Sequence, residues 1–359
     1  MVQGLDGVIA AQTVLSDVDG QAGRLVIRGR DVATLAGFRF EEAMALLWDG
    51  FFELPTVSEL SIRLGRARLA AFDDLAALDP VLLRLEPIEA VRALVARLSD
   101  DETLDSALAI LGRVAAFTPA VVRLRQGLDP IAPDPERGHA EDLLRMLGAP
   151  SDPAHVRALD AYLCTVIDHG LNASTFAARV VASTRAGLTS SVVAGFSALK
   201  GPLHGGAPGP VIAMLDGVGE AAHAQAWLEA ALDRGDRLMG FGHRIYRVRD
   251  PRADALKDAL RALALAGGGD PRRMQLAEAV EQAALALLRQ RKPDRPLDVN
   301  VEFYTALLLE ALAFPPDAFT CVFALSRAAG WIAHAREQAD GGKLIRPQSL
   351  YVGPQPIAA

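Results

Sequence analysis

The stretch Ala90-Val91-Arg92-Ala93-Leu94-Val95-Ala96-Arg97-Leu98 decides the fold class. Its bulky apolar residues recur at helical spacing on one face, and Arg92 and Arg97 flank that face. The same three- and four-residue spacing runs through Glu41-Glu42-Ala43-Met44-Ala45-Leu46-Leu47-Trp48, and from about Phe40 onward the pattern is helical. The exception lies upstream. Thr13-Val14-Leu15-Ser16 and Arg24-Leu25-Val26-Ile27-Arg28 flank the turn pair Asp19-Gly20, which predicts a small β-hairpin. The chain therefore reads as mainly α with a small N-terminal β-hairpin.

Punctuation marks the helix ends. Ser151-Asp152-Pro153 joins an N-cap residue to a proline suited to the first turn, predicting a helix to about Asp168 that delivers His169 at its end. Ile131 to Gly138 is a proline-rich polar loop between two helical groups, and Gly267-Gly268-Gly269-Asp270-Pro271 is a second break. At 359 residues, the chain is long enough for two domains, or for a large domain with a smaller one inserted.

Composition narrows the class. With 51% hydrophobic and 23% charged residues, the chain has the balance of a folded globular protein. A net charge of −7 argues against nucleic acid or an anionic membrane as the main partner, so an anionic ligand must be caught by local arginines. Cys164 and Cys321 sit singly in apolar helical segments, which predicts neither a disulfide framework nor a zinc site and suits a reducing cytoplasm. No uninterrupted apolar run reaches the roughly 18 residues of a membrane span, and the first residues lack the pattern of a signal peptide.

Four motifs carry chemistry. In Gly201-Pro202-Leu203-His204-Gly205-Gly206-Ala207 a histidine stands on a turn that glycines leave open to a ligand and Pro202 stiffens. Met239-Gly240-Phe241-Gly242-His243 places a second histidine after a glycine turn. Arg244, Arg247, Arg249 and Arg252 follow it, four forks that suit a polyanion or else a solvated helical face. Asp168-His169-Gly170-Leu171-Asn172-Ala173-Ser174-Thr175 ends one helix and opens another, with Asn172 or Ser174 as its N-cap. The new helix end beside His169 would favour a carboxylate. Asp298-Val299-Asn300-Val301-Glu302 sets two carboxylates four residues apart at the start of an apolar helix, where acidic residues also serve the helix dipole.

In order and spacing these motifs resemble the citrate synthase family. The resemblance spans nearly the whole chain, including Gly4 to Val8, Gly23-Arg24-Leu25, Asn300 to Tyr304 and Leu344-Ile345-Arg346-Pro347. It implies a two-domain citrate synthase-like helical fold, with residues 1–206 and 314–359 in a large domain, 207–313 in a small one, and a cleft that closes on substrate. It also implies a homodimer and an acyltransferase of the tricarboxylic acid cycle that condenses acetyl-CoA with oxaloacetate. His204 would hydrogen-bond the thioester carbonyl and His243 would polarise the ketone. His169, Arg252 and Arg327 would hold the oxaloacetate carboxylates, joined by Arg346 from the partner subunit, while Arg247 would meet the phosphates of coenzyme A. No metal or further cofactor is implied.

Two departures stand out. Glu302 occupies the position of the family's aspartate base and is one methylene longer; a displacement of about 1 Å in a catalytic group can cost roughly a hundredfold in rate. Asp298 is the weaker substitute. Pro208-Gly209 follows the His204 motif where the family more often has asparagine and an acidic residue. The alternatives left open are a 2-methylcitrate synthase using propionyl-CoA, since one methylene is worth only about 1–3 kcal/mol of discrimination, and a paralogue that binds oxaloacetate or coenzyme A without turnover.

Overall fold

The computed structural model describes residues 5, 7–205, 208–294 and 297–354. Gly4, Asp6, Gly206 and Ala207, which belong to the sequence motifs, lie outside them. The hairpin forms with its second strand where expected and its first strand later than 13–16. Strands β1 (Ser16–Asp19), β2 (Arg24–Ile27) and β3 (Arg30–Asp31) make one antiparallel sheet in that order, with Ser16 opposite Ile27 and Asp19 opposite Arg24. The Asp19 carboxylate accepts the N–H groups of Gln21 and Ala22, so Asp19 ends a strand and a four-residue loop follows. A two-residue Asp-Gly turn would have ended the first strand at residue 18; the Asx bonds instead make Asp19 its last residue and open a longer loop.

Fifteen α-helices follow among the described residues: α1 (Val32–Leu35), α2 (Phe40–Trp48), α3 (Val57–Asp73), α4 (Pro87–Val95), α5 (Leu104–Arg125), α6 (His139–Leu147), α7 (Pro153–Val166), α8 (Ala173–Ala182), α9 (Leu188–Leu199), α10 (Pro208–Val218), α11 (Ala224–Asp233), α12 (Pro251–Leu265), α13 (Pro271–Arg291), α14 (Val301–Ala311) and α15 (Phe319–Gly341). The mainly α reading therefore holds. Three of them begin with one chemical signal. Asp152, Asp250 and Asp270 each accept a backbone N–H of the first turn, and each is followed by proline, whose missing N–H costs nothing there. Helix α4 stops at Val95, three residues short of the periodic stretch, where Ala96 closes on Arg92 and the Arg113 side chain takes the Leu94 carbonyl.

Helix α5 has the length and composition to cross a membrane, which a count of uninterrupted apolar residues misses because Asp105 and Arg113 break the run. Its apolar window is 78% buried, and α3, α4, α6 and α15 pack on it, so it is a core helix. The other central helix is α15, which packs on α5, α7, α8 and α9 and carries Arg327, His334 and Gln338 into the interior. Gly330 lets it approach the end of α7, since a Cβ there would lie 2.4 Å from the Ile167 carbonyl oxygen. That close approach sets the height of the Asp168-His169 loop against α15. Helices α12 and α14 pack together, and α12 also lies along α7, bringing the Arg252 end beside the His169 loop.

Candidate active site

His169 follows α7 on a loop gripped from several sides. The preceding Asp168 is fully buried; its carboxylate accepts from the Ser16 hydroxyl and, at 3.2 Å, from His334 Nε2. Burial would raise this carboxyl, but the His334 donor, the Arg327 charge and the Ser16 hydroxyl hold it below its ordinary value. Downstream, Asn172 rather than Ser174 caps α8, its Oδ1 accepting from Ser174 and Thr175 N–H at 3.1 Å each. Those N–H groups are taken, so the helix end that the sequence offered as a carboxylate seat is already partnered.

The His243 loop is zipped to the segment before α14. Gly242 N–H donates to Asp298 O at 2.7 Å, Asn300 N–H to Gly240 O at 3.0 Å, and the Asn300 side chain to Gly242 O at 2.8 Å. Gly240 and Gly242 both have positive φ, +85° and +82°, a turn that glycine adopts without strain. His243 Nδ1 accepts the N–H groups of Ile245 and Tyr246 at 3.0 and 3.1 Å, so a neutral ring carries its proton on Nε2. The Tyr246 hydroxyl in turn reaches His169 Nε2 at 3.1 Å, and the His169 and His243 rings lie edge to face, 5.7 Å apart. Asn300 also caps α14 by accepting Glu302 N–H at 3.0 Å, which fixes Glu302 in the first turn.

The arginines divide into two groups. Arg252 is buried and pairs with Asp250 through Nε at 3.0 Å and Nη2 at 2.8 Å, while the same carboxylate takes Val301 N–H at 3.1 Å and so joins the starts of α12 and α14. Arg327 donates from Nε to Val166 O at 2.9 Å, but its Nη2 is buried with no partner among the described residues. An unpaired buried guanidinium nitrogen is an open seat for an anionic oxygen. Arg249 does not join an anion site, because Asp254, Glu281 and Asp298 occupy it. Arg247 and Arg244 instead line a groove of about 440 Å³ with Arg237 and Lys292, His243 forming one wall. That groove holds four cations, two of which the sequence motif did not reach. Arg346 is exposed on the segment after α15, where Ile345 N–H donates to Ser183 at the far end of α8, roughly 15 Å from the end beside His169. It does not enter the site of its own chain.

His204 hydrogen-bonds Ser174 through Nε2 at 2.8 Å, and Trp331 Nε1 steadies the same hydroxyl at 3.2 Å. Burial first, then the charges of Arg327 and Arg252, lower the His204 pKa to about 4. Burial and Arg252 bring His243 to about 4 as well, and burial with Arg252 and Arg327 holds His169 well below its ordinary range. All three imidazoles are therefore neutral near pH 7. Burial and the nearby Asp250 raise Glu302 to about 7 against the opposing pull of Arg252 and Arg327. Burial and the like charge of Arg252 lower Arg327 to about 10, still protonated. Three neutral imidazoles, two fixed cations and a carboxylate poised near neutrality suit proton abstraction and a dianionic ligand.

The structure thus gathers His169, His204, His243, Arg252, Glu302 and Arg327 into one site, places Arg247 in the adjoining groove and leaves Arg346 outside. Sequence reasoning missed Asp250 as the partner of Arg252, Tyr246 as the link between two histidines, and Tyr162, a fully buried tyrosine whose hydroxyl has no partner among the described residues and lies in the field of Glu302 and Arg327. The Asp250-Pro251 pair repeats the cap signal of Asp152-Pro153 and could have marked Asp250 as a helix cap. Nothing local signalled its second duty or the inward aim of Tyr162.

Comparison with known proteins agrees with this geometry. The family model described as citrate synthase, C-terminal domain, matches residues 4–348. The chain is 40% identical to the putative citrate synthase 2 of Mycobacterium tuberculosis strain H37Rv, covering 99% of this chain and 94% of that protein. It is 37% identical to a 2-methylcitrate synthase of M. tuberculosis strain Erdman, covering 98% and 90%. It also superposes on the citrate synthase of Thermoplasma acidophilum, solved as a ternary complex with carboxymethyl coenzyme A and oxaloacetate, with a TM-score of 0.85, 28% identity and 99% and 97% of the two chains covered. With a family match over almost its entire length and relatives covered nearly end to end, this chain belongs to the citrate synthase family of acyltransferase enzymes.

Proposed function

We propose that the protein condenses acetyl-CoA with oxaloacetate to give citrate and coenzyme A. The observation that carries the reading is the convergence of Glu302, held near neutrality, with three neutral imidazoles and two buried arginines. Glu302 takes a proton from the thioester methyl group, and His204 donates a hydrogen bond to the carbonyl oxygen as it becomes enolate. For that donation the His204 proton must sit on Nδ1, which requires the Ser174 hydroxyl to turn its one proton from Asn172 Oδ1, its acceptor at 2.8 Å, to His204 Nε2. The enol carbon then attacks the ketone of oxaloacetate. The new alkoxide meets His243 Nε2–H, whose tautomer the backbone N–H groups on Nδ1 impose. Water cleaves the resulting citryl thioester, releasing the thiol.

Arg252, the open Nη2 of Arg327 and His169 hold the oxaloacetate carboxylates, and Arg247 with its neighbouring cations receives the phosphates of coenzyme A. Each charge that develops is met by a side chain, so the reading requires no metal or further cofactor. It extends to a cytoplasmic homodimer in which Arg346 completes the partner's site. It also takes residues 207–313 to be a small domain that closes on 1–206 and 314–359, shielding the thioester from water.

Propionyl-CoA is the competing acyl donor, favoured by the likeness to a 2-methylcitrate synthase. Thiol release from acetyl-CoA and propionyl-CoA with oxaloacetate tests both. A higher kcat/KM with acetyl-CoA is expected, and the reverse order would assign the methylcitrate reaction. Release from neither would revive the non-catalytic paralogue.

A further inference from the structure

We propose that Ser16, in the N-terminal hairpin, is a positioning residue for His169. Its hydroxyl donates to the Asp168 carboxylate and accepts Gly170 N–H at 2.8 Å, so one oxygen ties the residue before the imidazole to the residue after it. A hydroxyl has one proton and two lone pairs and makes both bonds at once. The other side of Asp168 is already rigid. Arg179 can only donate, so His334 Nδ1 accepts from it at 2.9 Å and His334 Nε2–H points at Asp168. Arg179 is braced by Glu337 and Gln338, and Glu337 in turn accepts Val14 N–H at 2.8 Å, two residues ahead of Ser16.

The same hairpin reaches the other histidine loop, where Gly20 O accepts Arg247 N–H at 2.9 Å. Both loops that carry facing imidazoles thus rest on one hairpin, and Ser16 bonds the residues on either side of His169. Removing its oxygen leaves Gly170 N–H unpaired and Asp168 held from one side only. His169 then loses its register against Tyr246 and the arginines.

The functional consequence rests on the proposed role of His169 in holding oxaloacetate. In Ser16→Ala, the KM for oxaloacetate is expected to rise about tenfold, the cost of roughly one to two buried hydrogen bonds, while the KM for acetyl-CoA stays within twofold. Ser16→Thr, which keeps the oxygen, restores wild-type behaviour. A lowered melting temperature with an unmoved oxaloacetate KM would make Ser16 a structural residue and overturn the inference, as would a well-folded Ser16→Thr that behaves like the alanine variant. Calorimetric titration of the wild-type protein with oxaloacetate separates the two levels. If none binds, the substrate reading fails, and positioning is then judged from the ring ¹⁵N resonances of His169, assigned with His169→Gln. Shifted or exchange-broadened signals in Ser16→Ala support it; unchanged signals refute it.

Discussion

Glu302 should show catalytic value and a stability cost at the same group. Burial holds its carboxyl near 7, against an ordinary value of 4.5. Below about pH 4.5 the folded and unfolded chains both carry the proton. Between 4.5 and 7 only the folded chain keeps it, and above 7 the folded chain must bury the charge. Stability from this group is therefore lost as pH rises through that window, by ~3 kcal/mol in total. Glu302→Gln carries no such charge, so it should be more stable than wild type by up to that amount at pH 8 and by nothing at pH 4. Activity should move the other way, falling roughly a hundred- to ten-thousandfold because no base remains.

In the wild-type enzyme, kcat/KM should drop on the acid side with a midpoint near 7, roughly tenfold from pH 8 to pH 6, because only the ionised carboxylate accepts a proton. Glu302→Asp pulls the carboxylate back by about 1 Å from a site built around the longer chain, which should cost on the order of a hundredfold. The assays are thiol release at saturating oxaloacetate and thermal unfolding at both pH values. A Glu302→Gln enzyme that keeps its rate within tenfold would show that another group is the base. An inactive variant with no gain in stability at pH 8 would show that the carboxylate is not buried at a cost.

Other expectations follow from single contacts. Asp250→Asn halves the clamp on Arg252 and weakens the joint between α12 and α14, so it should raise the oxaloacetate KM and cost about 3 kcal/mol in denaturant titration; a loss of stability with no change in KM would separate Arg252 from substrate. Arg247→Ala combined with Arg244→Ala should raise the KM for acetyl-CoA, weaken its dependence on ionic strength and leave the KM for oxaloacetate alone. Equal effects on both substrates would detach the groove from coenzyme A. Ser174→Ala should lower kcat more than either KM, since it frees the His204 tautomer; an unchanged kcat refutes that orientation. Gly330→Ala must push α15 away from Ile167 and should cost about 1–3 kcal/mol together with oxaloacetate affinity, whereas wild-type melting would contradict the close approach.

The legible part of this protein was local. Helical spacing at Glu41–Trp48, the Asp152-Pro153 start and the glycine break at 267–269 are settled by neighbouring residues, because capping and turn chemistry act over three or four positions. In the hairpin the second strand is legible, but Asp-Gly has two uses, and only the hydrogen bonds from Gln21 and Ala22 show that Asp19 closes the first strand as an Asx acceptor. The site residues were named through a resemblance in motif order, and their grouping needed the fold. Arg249 and Arg252 are indistinguishable as letters. One is consumed by Asp254, Glu281 and Asp298, while the other is aimed by Asp250 beside the histidines.

By itself, then, the sequence determined a helical chain with its breaks and its reactive side chains, since those follow from propensity, capping and periodicity along a few residues. Tertiary structure alone decided which charges remain open and which are spent, how far burial moves Glu302 and the imidazoles, and that Ser16 meets Asp168 across 152 positions of chain. Desolvation and ion pairing depend on distance in space, and the chain brings those distances about only when it packs.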